Sequence, residues 1–101
     1  MTDECADAAG SLDPARLRER LARFGGTPAE RRAVARQARD LADAGRIERD
    51  LGAPLSVELI VSNLADAPEC GPADRWNWWL GALEVAHGGY RAFGVERWPA
   101  E

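Results

Sequence analysis

Apolar positions along this chain recur mostly at helical spacing. Leu17, Leu21 and Phe24 stand at i, i+4 and i+7, the stripe of an amphipathic helix. Asp13-Pro14 before them reads as N-cap and first helical residue: the carboxylate can accept free N–H groups, and proline has none to leave unpaired. Gly25-Gly26 predicts the end of this first helix. Val34, Ala38, Leu41 and Ala42 repeat the pattern in a second helix running to about Ala44, with Gly45 as its stop. It opens at Thr27-Pro28-Ala29-Glu30, where Thr27 caps and Glu30 closes a capping box. Arg46 to Leu51 predicts a short helix with Ile47 and Leu51 inward.

The next stretch is ambiguous. Leu55, Val57, Leu59 and Val61 alternate as a strand would, whereas Val57, Ile60, Val61 and Leu64 fit a helix. Ser56 is a good N-cap, Leu55 and Ile60 suit a hydrophobic staple, and no partner strand is evident, so a helix is expected. Ala67 to Pro72 reads as a loop. A last helix is expected to start near Ala73 and to carry the stretch Arg75 to Phe93, which holds three of the four Trp, the only His and the only Tyr. At about 100° per residue, Trp76, Trp79, Leu80, Leu83, Ala86, His87 and Tyr90 share one face. Trp78, Ala82, Val85, Gly89 and Phe93 form a second apolar strip nearly opposite. A helix apolar on two sides is either enclosed, or has one face in the core and one against a partner. Gly81 and Gly88, seven apart, share a side of the helix, and their cost of about 1 kcal/mol each predicts either close backbone approach by another element or an interruption at Gly88-Gly89.

These elements imply a single all-α domain, a small bundle of four or five helices around a central Trp-rich helix, over residues 12–95. Residues 1–11 read as a disordered acidic tail, and residues 96–101 as a C-terminal tail bearing Trp98. The length of 101 residues and 46% hydrophobic content suit one domain with its own core. No apolar run approaches the ~20 residues of a membrane helix. The start, MTDECADAAG, lacks an apolar signal-peptide region, so a cytoplasmic location is expected.

All thirteen basic residues are Arg, a usage that fits a prokaryotic genome of high G+C content. The charge is uneven. Residues 1–12 carry three acids, residues 13–49 ten Arg against six acids, and residues 50–101 three Arg against eight acids. The basic middle suits an anionic partner, while the overall charge of −4 argues against tight nonspecific nucleic-acid binding. Arg32, Arg36 and Arg39 on the second helix are the candidate anion contacts. The competing reading is a solvated face with pairs such as Arg36–Asp40 and Arg39–Asp43.

Little here suggests catalysis. Cys5 and Cys70 belong to no CxxC pair, and one His cannot complete a zinc set. No GxSxG, P-loop, GxGxxG, HExxH or paired-carboxylate motif occurs. An enzyme is not expected, nor a cofactor. His87 is read as a core residue whose burial disfavours its charged form, with Glu84 as a hydrogen-bond partner. Ile47 to Leu64 loosely resembles a helix-turn-helix, which would imply nucleic-acid binding. However, its second helix, SVELIVSNL, has no basic residue and only Asn63 suited to reading a base edge. The segments DLADAGRIERDLGAPLSVELIVSNL and DRWNWWLGALEVAHGGYRAF resemble small uncharacterised proteins of halophilic archaea, a resemblance that implies no activity or site. The expected function is a non-enzymatic protein–protein interaction module, self-associating through the aromatic strip Trp78, Ala82, Val85, Gly89 and Phe93, with Trp98 alongside. The alternative is a nucleic-acid-binding regulator using the helix-turn-helix-like segment and the Arg-rich helices.

Overall fold

The computed structural model describes residues 12–95. The two tails, Cys5 and Trp98 lie outside them. Among the described residues five α-helices follow one another: α1 (Pro14–Leu21), α2 (Pro28–Ala44), α3 (Arg46–Leu51), α4 (Val57–Ala65) and α5 (Pro72–His87). Two single 3-10 turns, Ala22–Phe24 and Arg91–Phe93, follow α1 and α5. No strand occurs among the described residues, so the ambiguous segment around Leu59 is a helix.

Local chemistry explains most boundaries. Asp13 accepts the N–H groups of Ala15 and Arg16, and Ser56 accepts that of Leu59. Gly45 leaves α2 with φ 73°, the left-handed conformation that glycine adopts at least cost. Thr27 accepts the N–H of Glu30 at 3.1 Å, half of the expected capping box. The other half is absent, because the Glu30 carboxylate turns away from its own helix and accepts the N–H of Ala73 in α5.

The core is a single cluster. Leu17 and Leu21 of α1 and Val34, Ala38 and Leu41 of α2 meet Ile60 and Leu64 of α4 and Trp76, Trp79 and Leu80 of α5. Helix α2 packs on α1, α3 and α5, and α4 packs on α1 and α5. The Trp-rich helix is therefore a wall of the bundle rather than its enclosed axis. Leu51, expected inward, is 42% exposed at the end of α3: a helix of six residues turns only one residue, Ile47, fully into the core.

The expected long last helix is shorter than its periodicity predicts. It ends at His87, and Gly88 and Gly89 follow with φ 81° and 86°. Two successive positive φ values are incompatible with a right-handed helix, so the chain reverses and runs back along α5. Tyr90 is buried after that reversal, not on the helix, and Phe93 packs against the core from the 3-10 turn. Ala86 and His87, which a helical wheel carries inward, are exposed. The burial that underlay the expectation for His87 is thus absent. Glu84 is not its partner: its Oε1 accepts the N–H groups of Tyr90 at 2.8 Å and Arg91 at 2.9 Å.

Candidate interaction surface

The run Trp76-Asn77-Trp78-Trp79 occupies the second and third turns of α5, and each member has a different surrounding. Trp76 is fully buried, and its indole Nε1 donates to the carbonyl of Phe93 at 3.0 Å. Trp79 is 5% exposed and meets Trp76 edge to face, with ring centroids 5.9 Å apart. Asn77 binds the returning chain with both ends of its amide. Its Nδ2 donates to the Val95 carbonyl at 2.7 Å, and its Oδ1 accepts the Val95 N–H at 2.8 Å. This side chain acts as a neighbouring strand would, satisfying both polar groups of one residue. Trp78 alone has no such role and stands 39% exposed.

Around Trp78 the outer half of α5 is nearly free of charge. Gly81, Ala82, Val85 and Ala86 are all exposed, Val85 at 89%. Asp74, exposed at its N-terminal end, is the one acid on this stripe of α5. Arg75 borders the stripe but is engaged inward: its guanidinium donates to the carbonyls of Leu64 and Cys70 and lies over the Phe24 ring. Of the expected interface residues, Trp78, Ala82 and Val85 do share one exposed face. Gly89 lies past the helix end, and Phe93 is half-buried on the core side. Those two are corrected out of the strip, for the same reason that the helix is shorter. Beside the stripe, Asn77, Leu80, Gly81, Arg91, Gly94 and Val95 line a shallow cleft of about 450 Å³.

The arginines form a separate feature. Arg32, Arg36 and Arg39 of α2 are joined by Arg18 of α1 along a cleft of about 410 Å³ that also contains Asp40 and Asp43. Arg39 pairs with Asp43 at 3.8 Å. The expected Arg36–Asp40 pair is not among the salt bridges of the described residues. Arg16 and Arg20 of α1 both face Glu58 of α4, and backbone and arginine contacts hold that carboxyl below the usual carboxylate range. Asn63 donates its amide to the Leu59 carbonyl one turn back. The outward face of α4 therefore carries an acid held by α1, and its amide is already used within the helix.

A third cluster ties the chain reversal to α3. The Tyr90 hydroxyl donates to Asp50 Oδ2 at 2.7 Å and lies 3.2 Å from the Arg46 carbonyl. Arg49 grips the same carboxylate with Nε at 2.9 Å and Nη2 at 3.1 Å. The hydrogen bond from Arg49, then that from Tyr90, holds Asp50 well below the usual carboxylate range. Burial first, and then Asp50, pushes the Tyr90 phenol up to about 12. The cluster joins α3 to the chain that follows α5, and the His87 ring lies beside it, 6.4 Å from the Tyr90 ring between centroids. No three His, Cys, Asp or Glu side chains gather as a metal site would require among the described residues. Cys70 is an exposed free thiol on the α4–α5 loop.

Three features lie outside what the sequence anticipates: the Glu30 cap on α5, the Arg49–Asp50–Tyr90 cluster and the Asn77 clasp. A signal for the clasp exists, since Asn is a weak helix former in a helix interior and its presence among aromatics suggests a bond made elsewhere.

Fold and surface together define a small all-α domain in which, among the described residues, one face of α5 is exposed with Asp74 as its one acid. The model of the WNWW domain family matches residues 1–84, and the chain belongs to that family. Trp76-Asn77-Trp78-Trp79 spells the family's designation in this sequence. No curated protein and no solved structure matches the chain. No helix among the described residues is long and apolar enough to cross a membrane.

Proposed function

We propose that this domain is a non-enzymatic protein–protein interaction module that self-associates through the exposed face of α5. The observation that carries this reading is Trp78. Its three neighbours in the run are consumed by the core and by the clasp on Val95, while its indole stands on a stripe without a full charge for two turns. Tryptophan is the residue most often found at the energetic centre of protein interfaces. Flanking apolar and small residues, here Val85, Ala82 and Gly81, suit the dry surroundings such a centre needs. The experiment is sedimentation equilibrium from micromolar to millimolar protein. A concentration-dependent dimer, weakened by Trp78→Ala with helicity unchanged, is expected. A monomer throughout would overturn the reading.

A second reading, an anion-binding regulator, has one observation in its favour: Arg18, Arg32 and Arg36 converge on one cleft from two helices. It is the weaker reading. In a helix-turn-helix, α4 would enter the DNA groove, and α4 turns Glu58 outward. Duplex binding that survives physiological salt and is lost on Arg32→Ala with Arg36→Ala would establish it.

A further inference from the structure

We infer that the groove between α1 and α2 binds a small ligand through a diphosphate group, held by Arg18, Arg32 and Arg36. The inference takes up the arginine cleft of the second reading without its duplex, and it does not depend on self-association. A second hollow, of about 390 Å³, continues that cleft toward Pro28. Arg18 and Arg32 line both hollows, so the two form one groove along the α1–α2 seam. Its walls carry five arginines against Glu19, Asp40 and Asp43. That is an excess of two positive charges on a chain whose net charge is −4. Two of the five are committed: Arg31 donates to the carbonyls of Gly25 and Gly26, and Arg39 faces Asp43. Arg18, Arg32 and Arg36 are exposed, and none of them belongs to the salt bridges found among the described residues. Small residues line the seam between them, Ala15 and Ala22 on α1 and Ala35 on α2, and leave the space open.

The arrangement of the three arginines chooses the anion. Like charges around one hollow repel each other, and an anion between them removes that cost. Arg32 and Arg36 stand one turn apart on α2, with Cβ atoms about 5–6 Å from each other, and Arg18 reaches the same hollow from α1. A carboxylate offers two coplanar oxygens, which suit the fork of a single guanidinium. A phosphate offers three acceptor oxygens out of one plane, so it can accept from guanidinia that arrive from two helices. Two linked phosphates reach both steps of the Arg32–Arg36 pair and carry at least the two negative charges that balance the groove. Length decides against a nucleic-acid strand. On α2 the basic run gives way to Asp40 and Asp43, whereas a polynucleotide draws its affinity from many phosphate contacts along a track.

The probe is inorganic pyrophosphate, titrated into the full chain at low salt and followed by backbone-amide NMR. Saturable shifts confined to α1 and to α2 around Arg32 and Arg36 are expected, with affinity falling as salt rises. Arg32→Gln with Arg36→Gln should weaken binding at least about tenfold with unchanged circular dichroism, since both side chains are exposed. Arg39→Gln should weaken it less, because that guanidinium already faces Asp43. Citrate, a polycarboxylate of similar charge, should bind at least about tenfold more weakly than pyrophosphate. Adenosine diphosphate identifies the carrier: tighter binding than pyrophosphate through the same arginines assigns a nucleoside diphosphate, and equal binding assigns the phosphate end alone. Pyrophosphate that does not saturate at millimolar concentration, binds no better than citrate, or ignores the Arg32/Arg36 double change would overturn the inference. An oligonucleotide held through these arginines when pyrophosphate is not would overturn it in favour of the nucleic-acid reading. The sedimentation test of self-association stands or falls separately from all of these results.

Discussion

The Glu30 carboxylate accepts the backbone N–H of Ala73 at 2.9 Å, a contact that spans 43 positions of sequence. Helix α5 starts at Gly71-Pro72, and Gly71 offers no side chain to cap it. Glu30, on the first turn of α2, supplies the missing cap and joins the starts of two helices. The residue is only 8% exposed. Gly26 and Gly71 make the room. A Cβ at Gly26 would lie 2.6 Å from Glu30 Oε1 and 2.8 Å from Pro72 Cδ, and Gly26 also holds φ 78°. Arg31 closes the turn by donating to the carbonyls of Gly25 and Gly26.

The first prediction follows from that contact. Glu30→Ala should cost roughly 1–3 kcal/mol, because it removes a cap and leaves the Ala73 N–H buried without a partner. Glu30→Gln, which keeps an acceptor oxygen, should cost less. Gly26→Ala should cost more than an ordinary surface change, since both its φ and the space around it forbid a side chain. Urea unfolding of the three variants checks the order.

The sequence reveals what neighbouring residues decide. Asp13, Thr27 and Ser56 cap their helices as expected, and Gly45 ends α2, because each acts within four positions. Trp76, Trp79, Leu80 and Leu83 face inward because the helical period holds across those turns. The failures begin where the period is extended past Gly88-Gly89. His87, Gly89 and Phe93 were assigned faces on a helix that has ended at or beside them. Glu30 and Glu84 were assigned partners at i±3 but found better ones across a tertiary contact and across the chain reversal. Of the expected strip, only Trp78, Ala82 and Val85 share an exposed face, because only they lie within α5.

A second prediction separates Trp76 from Trp78. Trp76→Ala empties a fully buried site and orphans the Phe93 carbonyl, so a loss of about 3–5 kcal/mol is expected. Against a total of roughly 5–15 kcal/mol for a domain, little folded protein would remain. Trp78→Ala in dilute solution should cost less than Trp76→Ala, because 39% of the Trp78 surface is already in water whereas Trp76 is fully buried. Added stability from association should appear only at high protein concentration and only with Trp78 present. Thermal melts at two concentrations distinguish these outcomes.

The third prediction concerns pH. Asp50 has a folded pKa below its unfolded value. The stability it contributes is therefore present above the unfolded carboxylate range and is lost as pH falls toward the folded pKa. Tyr90 is an acid whose folded pKa is raised to about 12. Its contribution is present below the unfolded phenol value of about 10 and is lost as pH climbs from there toward 12. Stability should therefore fall at both ends. Asp50→Asn should flatten the acid side, and Tyr90→Phe the alkaline side at a neutral-pH cost of about 1 kcal/mol. Because Tyr90 is the only tyrosine, the tyrosinate absorbance reads its ionisation directly. A midpoint at the ordinary value would show the hydroxyl to be solvated.

Asn77 gives the last prediction. Its amide holds Val95 by two short hydrogen bonds of opposite sense, while Trp76 holds Phe93 one turn earlier. With the two N–H groups of Tyr90 and Arg91 that Glu84 accepts, these three bonds hold the returning chain against α5. Gly94 sits close beneath, where a Cβ would lie 3.1 Å from Asn77 Oδ1, so the chain can approach only because residue 94 is small. Asn77→Asp is the informative change, since it preserves shape and still accepts the Val95 N–H. It replaces the donor to the Val95 carbonyl by a second oxygen, so acceptor faces acceptor. Above the carboxylate pKa it should destabilise more than Asn77→Ala, which merely leaves two partners for water. Protonation at low pH would restore a donor, and the gap between the two variants should then close. Hydrogen exchange at Val95 reads the clasp locally: fast exchange in Asn77→Ala, slow exchange in the parent.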